Sequence, residues 1–182
     1  MAETYLARLL AYDNWANRGV LAFLGTQPSA VLDATAPGVY GTVRETLQHL
    51  LGAEWRYHAL LAGQPQSGLP PRAQPPDLEA LQSLAHEAAR RVDALTASLP
   101  DPAAMVQTID GPGAAASTIV TQLVMHGCEH RGHIATILGA NGLTGPELDG
   151  WAYGIFAGND AWLPEWGPEP SPRPEFPRPE WK

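Results

Sequence analysis

The sequence predicts an all-α protein, a bundle of four helices in one domain, and three observations carry that prediction. Apolar residues recur at spacings of three and four in four long segments, the pattern of helices that each bury one face. The stretches between those segments are rich in proline and glycine, which neither a helix interior nor a central strand accepts. The length of 182 residues, with 45% hydrophobic and 16% charged content, suits one globular domain with a sizeable core and is too apolar for a disordered chain.

Helix one is expected from Thr4 to Leu24, with Leu6, Leu9, Leu10, Ala16, Val20, Leu21 and Leu24 on its apolar stripe. Within it, Tyr12-Asp13-Asn14-Trp15-Ala16-Asn17 mixes aromatic and polar side chains on one side. Either the aromatics pack on a neighbouring element or that side lines a cleft, and packing is the expectation. Gly25 and Pro28 stop the helix. Gln27 to Tyr40 has no helical period and reads as a long connection across the domain. Thr42-Val43-Arg44-Glu45 then has the residues of a capping box, the Thr hydroxyl accepting from the third backbone N–H and the Glu reaching back to the cap.

Helix two follows, carrying Val43, Leu47, Leu50, Leu51 and Leu61, with His49 beside that stripe. His58, nine residues on, turns about 180° away from His49 and is expected at the surface. Gly63 to Pro76 reads as a surface loop. Helix three, Asp77 to Leu99, alternates fours and threes through Leu78, Leu81, Ala85, Ala88, Val92, Leu95 and Leu99, with His86 off the stripe and facing solvent. Met105 to Ile109 and the turn Asp110-Gly111-Pro112-Gly113 suggest a small hairpin or extended loop. Ser117 or Thr118 is expected to cap helix four, whose core face holds Ile119, Val120, Leu123, Ile134, Ile137 and Leu138 and which ends at Gly139, Asn141 and Gly142. Trp151 to Ala157 reads as a short closing helix. Pro164 to Lys182 is a proline-rich, extended tail with Trp162, Trp166, Phe176 and Trp181 in or just before it as possible anchors. The expected division is a bundle over residues 1–160 and a tail over residues 161–182.

A formal net charge of -8, with only eleven scattered Lys and Arg, opposes a phosphate-binding surface and hence nucleic acid as a partner. Cys128 is the only cysteine, which excludes an intramolecular disulfide and a cysteine-rich metal site. The N-terminus lacks a basic segment followed by an apolar run, and no stretch reaches about 20 apolar residues. A soluble, cytoplasmic protein with no membrane partner is expected.

The chemistry is concentrated in His126-Gly127-Cys128-Glu129-His130-Arg131-Gly132-His133. His126 and His130, four apart, lie one turn apart on one helix face. That is metal-ligand spacing, but a pair of histidines also occurs on ordinary polar faces, and a metal needs a third ligand from elsewhere. His133 extends the stripe along the core face, where imidazoles require partners. Cys128 points about 160–200° from His126 and His130 and is read as a small buried hydrophobe.

Tyr12 to Asn17 in helix one, Thr46-Leu47-Gln48-His49-Leu50 with Glu54 in helix two, and His126 to His133 in helix four together resemble the DinB family, over a match from about Tyr5 to Tyr153. The resemblance implies a four-helix bundle with up-down-down-up topology, which the long crossing from Gln27 to Tyr40 would serve, and a divalent metal held by His49, His126 and His130. Imidazole ligands favour Zn, Ni or Fe over Mg or Ca. Many members end the motif in His-Arg-Gly-Gln where this chain has His130-Arg131-Gly132-His133, so His133 is a water-mediated neighbour of the site, a fourth ligand, or a solvent-facing substitute for Gln. The family is similar to thiol S-transferases that use bacillithiol or glutathione and, more distantly, to mycothiol-dependent isomerases. The resemblance thus implies a transferase that activates a low-molecular-weight thiol, bacillithiol-type, on a small-molecule substrate, with Arg131 and His133 as cofactor contacts and a homodimeric assembly. The alternative is a stress-related binding protein with a structural metal and no turnover.

Overall fold

A computed structural model describes residues 4–65, 76–96, 98–107 and 113–158. The four long helices are α1 (Tyr5–Gly25), α2 (Val43–Leu61), α3 (Leu78–Thr96) and α4 (Ala116–Ala140), followed by the short α5 (Gly150–Phe156). No helix among the described residues is long and apolar enough to cross a membrane. Most of the Gly63–Pro76 loop, the hairpin turn and the tail anchors lie outside the described residues.

Local chemistry sets the helix starts. Thr4 caps α1 by accepting from Ala7 N–H, and Asp77 accepts from Ala80 N–H at 2.9 Å at the head of α3. The capping box on α2 is complete: Thr42 Oγ1 accepts from Glu45 N–H at 3.2 Å while Glu45 Oε2 accepts from Thr42 N–H at 2.8 Å. Helix α4 departs from expectation, because it starts at Ala116 without a side-chain cap. A two-stranded antiparallel ribbon, β1 (Met105–Val106) and β2 (Ala114–Ala115), runs straight into it. The first helical N–H groups find carbonyls of the preceding segment, Ala116 N–H donating to Ala104 O and Ser117 N–H to Pro102 O, so neither Ser117 nor Thr118 is needed as a cap.

Each long helix packs on two others: α1 on α3 and α4, and α2 on α3 and α4. Helices α1 and α2 therefore sit at opposite corners, and the chain between them must cross the bundle end. That connection has more order than its sequence suggests, with a 3₁₀ turn at Ser29–Asp33 that buries Leu32 and a left-handed turn at Gly38, φ 80°. A glycine there avoids the Cβ clash of positive φ. At one end of the bundle Val20, Leu21 and Leu24 pack with Leu47, Leu51, Leu81, Leu84, Ile134, Ile137 and Leu138. At the other, Leu61, Leu95, Ala116 and Ile119 form one cluster and Leu10, Val92 and Leu123 another. The C-terminal halves of α1 and α4 thus share an end with the N-terminal halves of α2 and α3. Each fully buried Leu or Ile stabilises this arrangement by about 1.5–3 kcal/mol. The aromatic side of α1 packs as expected: Trp15 lies 5.4 Å from Tyr153 and 5.6 Å from Phe156 of α5, centroid to centroid.

Candidate metal centre

Helix α4 presents His126 and His130 one turn apart, and α2, packed alongside it, presents His49 from the turn after its capping box. These three residues bring ring nitrogens within 4.8 Å of one another. His49 Nε2 lies 3.0 Å from His126 Nε2, and the ring centroids of His126 and His130 are 4.3 Å apart. His126 and His130 are buried, whereas His49 is half-buried. Tyr40, at the end of the crossing segment, stacks on His49 at 4.3 Å and meets His130 edge-on at 5.3 Å.

The donor set fits a divalent cation. Metal–nitrogen bonds of about 2.0–2.1 Å in tetrahedral geometry hold ligand atoms roughly 3.3 Å apart, close to the His49–His126 spacing. Burial, then the neighbouring imidazoles of His130 and His49, pull His126 down to about 4. Burial, then His49 and His133, pull His130 down to about 4 as well. Both are neutral near pH 7, with the lone pair a metal requires. Their Nδ1 atoms are buried and have no hydrogen-bond partner among the described residues. Buried, neutral, closely spaced imidazoles are costly as a purely structural feature, and a shared cation satisfies them.

Behind the histidines Arg131, Asp13, Asn17 and Glu54 form a buried polar cluster. Arg131 faces α1, its Nη1 donating to Asp13 Oδ1 and to Asn17 Oδ1, each at 2.7 Å. Asn17 Nδ2 in turn donates to Glu54 Oε1 and Oε2 at 2.8 and 2.9 Å. All four residues are buried. Burial and the neighbouring Asp13 push Glu54 well above the usual carboxylate range, and Glu54 hydrogen-bonds Asp13. One guanidinium faces two carboxyl groups, and burial favours the neutral form of Glu54, the carboxyl that is not paired directly with Arg131. Gly127 makes room for this cluster: a Cβ there would sit 2.3 Å from Asp13 Oδ1 and 2.9 Å from Arg131 Nη1.

Several expected positions change. Arg131 is held in this ion pair rather than set toward the three histidines, its Nη2 lying 3.6 Å from Cys128 Sγ and its guanidinium over the Tyr12 ring. His133 keeps its ring 5.3 Å from His130, edge to face, outside the group of three. Cys128 is exposed rather than buried, because it lies about 160–200° round α4 from His126 and His130, on the side turned away from the core. His86 is exposed, as read.

His58 is the clearest correction: expected at the surface, it is only 2% exposed. It follows Leu51 by seven residues and Leu47 by eleven, helical repeats that put it in the centre of the α2 core face. His49, at about 200° from Leu47, lies off that stripe, and it is covered by α4 and Tyr40 instead. Neither His58 nitrogen has a hydrogen-bond partner among the described residues, and burial, then Arg91, pulls it down to about 4.

The cluster residues did leave a signal. Glu54 is four past Leu50, and Asp13 and Asn17 continue the period of Leu10 toward Val20, so charged and amide groups sit in phase with apolar stripes. Tyr40 left none, since it lies on an aperiodic segment.

The family model described as the DinB family matches residues 1–161. A crystal structure of a DinB-like protein from Bacillus cereus aligns with a TM-score of 0.56 at 17% identity, covering 76% of this chain and 94% of that one. At that identity the likeness is one of fold. Comparison with curated proteins found no match.

Proposed function

Because the chain belongs to the DinB family, we propose that it is a metal-dependent transferase that activates a low-molecular-weight thiol, bacillithiol-type, for S-conjugation or detoxification of a small-molecule substrate. The observation that supports this reading most is the set of three imidazoles, His49, His126 and His130, within 4.8 Å of one another. Zn, Ni or Fe suits such ligands. A cation held by three protein ligands keeps a position open and acidifies the thiol or water that takes it.

The chain's own residues supply the rest. Burial keeps His126 and His130 neutral, so they act as donors and not as acids near pH 7. Tyr40 stacks on His49 and meets His130 edge-on, which helps to fix the orientation of both rings. His133, beside His130, is the polar neighbour available to orient a bound group, while Arg131, paired to Asp13, fixes the roll of α4 and with it the direction of both α4 histidines. Cys128 lies on another side of α4, so the reacting thiol comes from a separate molecule. The same reading takes the protein as a cytoplasmic homodimer, with residues 1–160 forming the bundle and 161–182 an appended tail.

The test is conjugation of monochlorobimane by metal-loaded protein with bacillithiol or glutathione. A rate above the uncatalysed reaction that disappears in His126→Ala is expected. No rate above background with any thiol, from protein that holds one metal per chain, would shift the assignment to a structural metal.

A further inference from the structure

We propose that the recess beside His49 is the ligand-binding side of the centre and that it selects a small thiol carrying a protonated amine. This rests on the thiol reading above and adds the chemical class of the thiol. The recess has a volume of about 270 Å³ and is lined by Tyr40, Glu45, Gln48 and His49. That is slightly smaller than the roughly 300–1,000 Å³ of pockets for drug-sized ligands, which suits a compact molecule.

Its walls are held in place. Glu45 precedes His49 by four residues and so lies about one turn, roughly 6 Å, along the same face of α2. Both capping interactions fall on its Oε2, from Thr42 N–H at 2.8 Å and Thr42 Oγ1 at 2.9 Å, so the cap does not use Oε1. The segment carrying Tyr40 is tied down by Thr35 Oγ1 donating to Gly41 O, Val43 N–H donating to Ala34 O, and Nδ2 of Asn141, the C-cap of α4, donating to Thr35 O.

The charge of the recess is negative. Among the described residues its lining contains a carboxylate and neither Lys nor Arg. The Thr42 backbone N–H, then its hydroxyl, holds Glu45 below the usual carboxylate range, so the group is ionised near neutral pH. The two arginines closest in sequence to the site are used elsewhere: Arg44 donates to Asp33 and to Pro76 O, and Arg131 pairs with Asp13. A ligand with a carboxylate near its thiol would meet like charge. An ammonium two or three carbons from the thiol would reach Glu45 and the exposed Tyr40 ring, whose face also attracts cations.

Calorimetry on zinc-loaded protein tests this with cysteamine, 2-mercaptoethanol and 3-mercaptopropionate, and with their oxygen counterparts ethanolamine and 3-hydroxypropionate. Because the thiols differ in intrinsic acidity, the decisive quantity is how the cysteamine to mercaptopropionate affinity ratio changes between wild type and Glu45→Gln. Glutamine still completes the capping box, so this variant removes charge and keeps the fold. The ratio is expected to fall about five- to tenfold in Glu45→Gln. An unchanged ratio, with both thiols bound, overturns the inference and leaves the thiol reading standing. If no thiol binds while ethanolamine outbinds 3-hydroxypropionate in a Glu45-dependent way, the recess assignment holds and the thiol reading falls. No binding in either series overturns both.

Discussion

Gly127→Ala and Gly132→Ala are the same substitution five residues apart on α4, and the structure gives them opposite signs. In an exposed helix interior, Gly to Ala stabilises by about 0.5–1 kcal/mol through backbone entropy. Gly132 is exposed, with nothing within 4 Å of an added Cβ, so Gly132→Ala should raise stability by roughly that amount. At Gly127 the Cβ would meet Asp13 Oδ1 at 2.3 Å. Ordinary contact begins near 3.4 Å, so either Asp13 moves by about 1 Å or α1 does. Asp13 cannot swing aside freely, because it is buried and holds Arg131 at 2.7 Å. Disrupting a buried ion pair costs about 3–5 kcal/mol, and the helical gain offsets about 1, leaving a net loss of roughly 2–4 kcal/mol. For a chain of this size that corresponds to a fall in Tm of roughly 5–15 °C. Urea unfolding followed by far-UV circular dichroism, with both variants beside wild type, reads the difference. A Gly127→Ala protein as stable as Gly132→Ala would refute the packing argument.

Further expectations concern the buried polar groups. Glu54→Gln should stay within about 1 kcal/mol of wild type at pH 7, because an amide can accept from Asn17 and donate to Asp13 as the protonated carboxyl does, whereas Glu54→Ala should cost about 3 kcal/mol; equal losses in urea melts would contradict a neutral Glu54. His58→Leu should stabilise by about 1–2 kcal/mol, since it replaces two unpartnered buried nitrogens with apolar volume. The same substitution should change the pH dependence. His58 titrates at about 4 in the folded state against about 6.5 unfolded, so the unfolded chain binds more protons between those values and wild type loses stability as pH falls from 6.5 to 4. The wild-type to His58→Leu stability gap should widen across that window by up to about 3 kcal/mol, and a gap independent of pH would count against a neutral buried His58.

The helices were legible because apolar period reports a buried face directly: α2 and α5 begin within a residue of where their signals put them, and the Thr42–Glu45 box is present. What periodicity does not report is which element covers a given face. His49 is off the α2 stripe and His58 on it, and placing His49 with the leucines by linear proximity carries His58, half a turn away, to the surface, whereas it is His58 that is in phase with Leu47 and Leu51. The His126–His130 spacing was readable since both lie on one helix, but their meeting with His49 depends on α2 packing beside α4, a long-range fact. Arg131 beside two histidines suggested a ligand contact, because a sequence shows the charge and conceals the buried Asp13 that takes it up. Residue type alone reads Cys128 as a buried hydrophobe, whereas its position on the helix turns it outward.

Metal assignment is tested most directly by elemental analysis of protein purified without a histidine tag, wild type beside His126→Ala and His86→Ala. One divalent Zn, Ni or Fe per chain in wild type and His86→Ala, and none in His126→Ala, is the expected result; full occupancy in His126→Ala, or a wild type that binds no metal when offered it, would contradict a centre built from His49, His126 and His130.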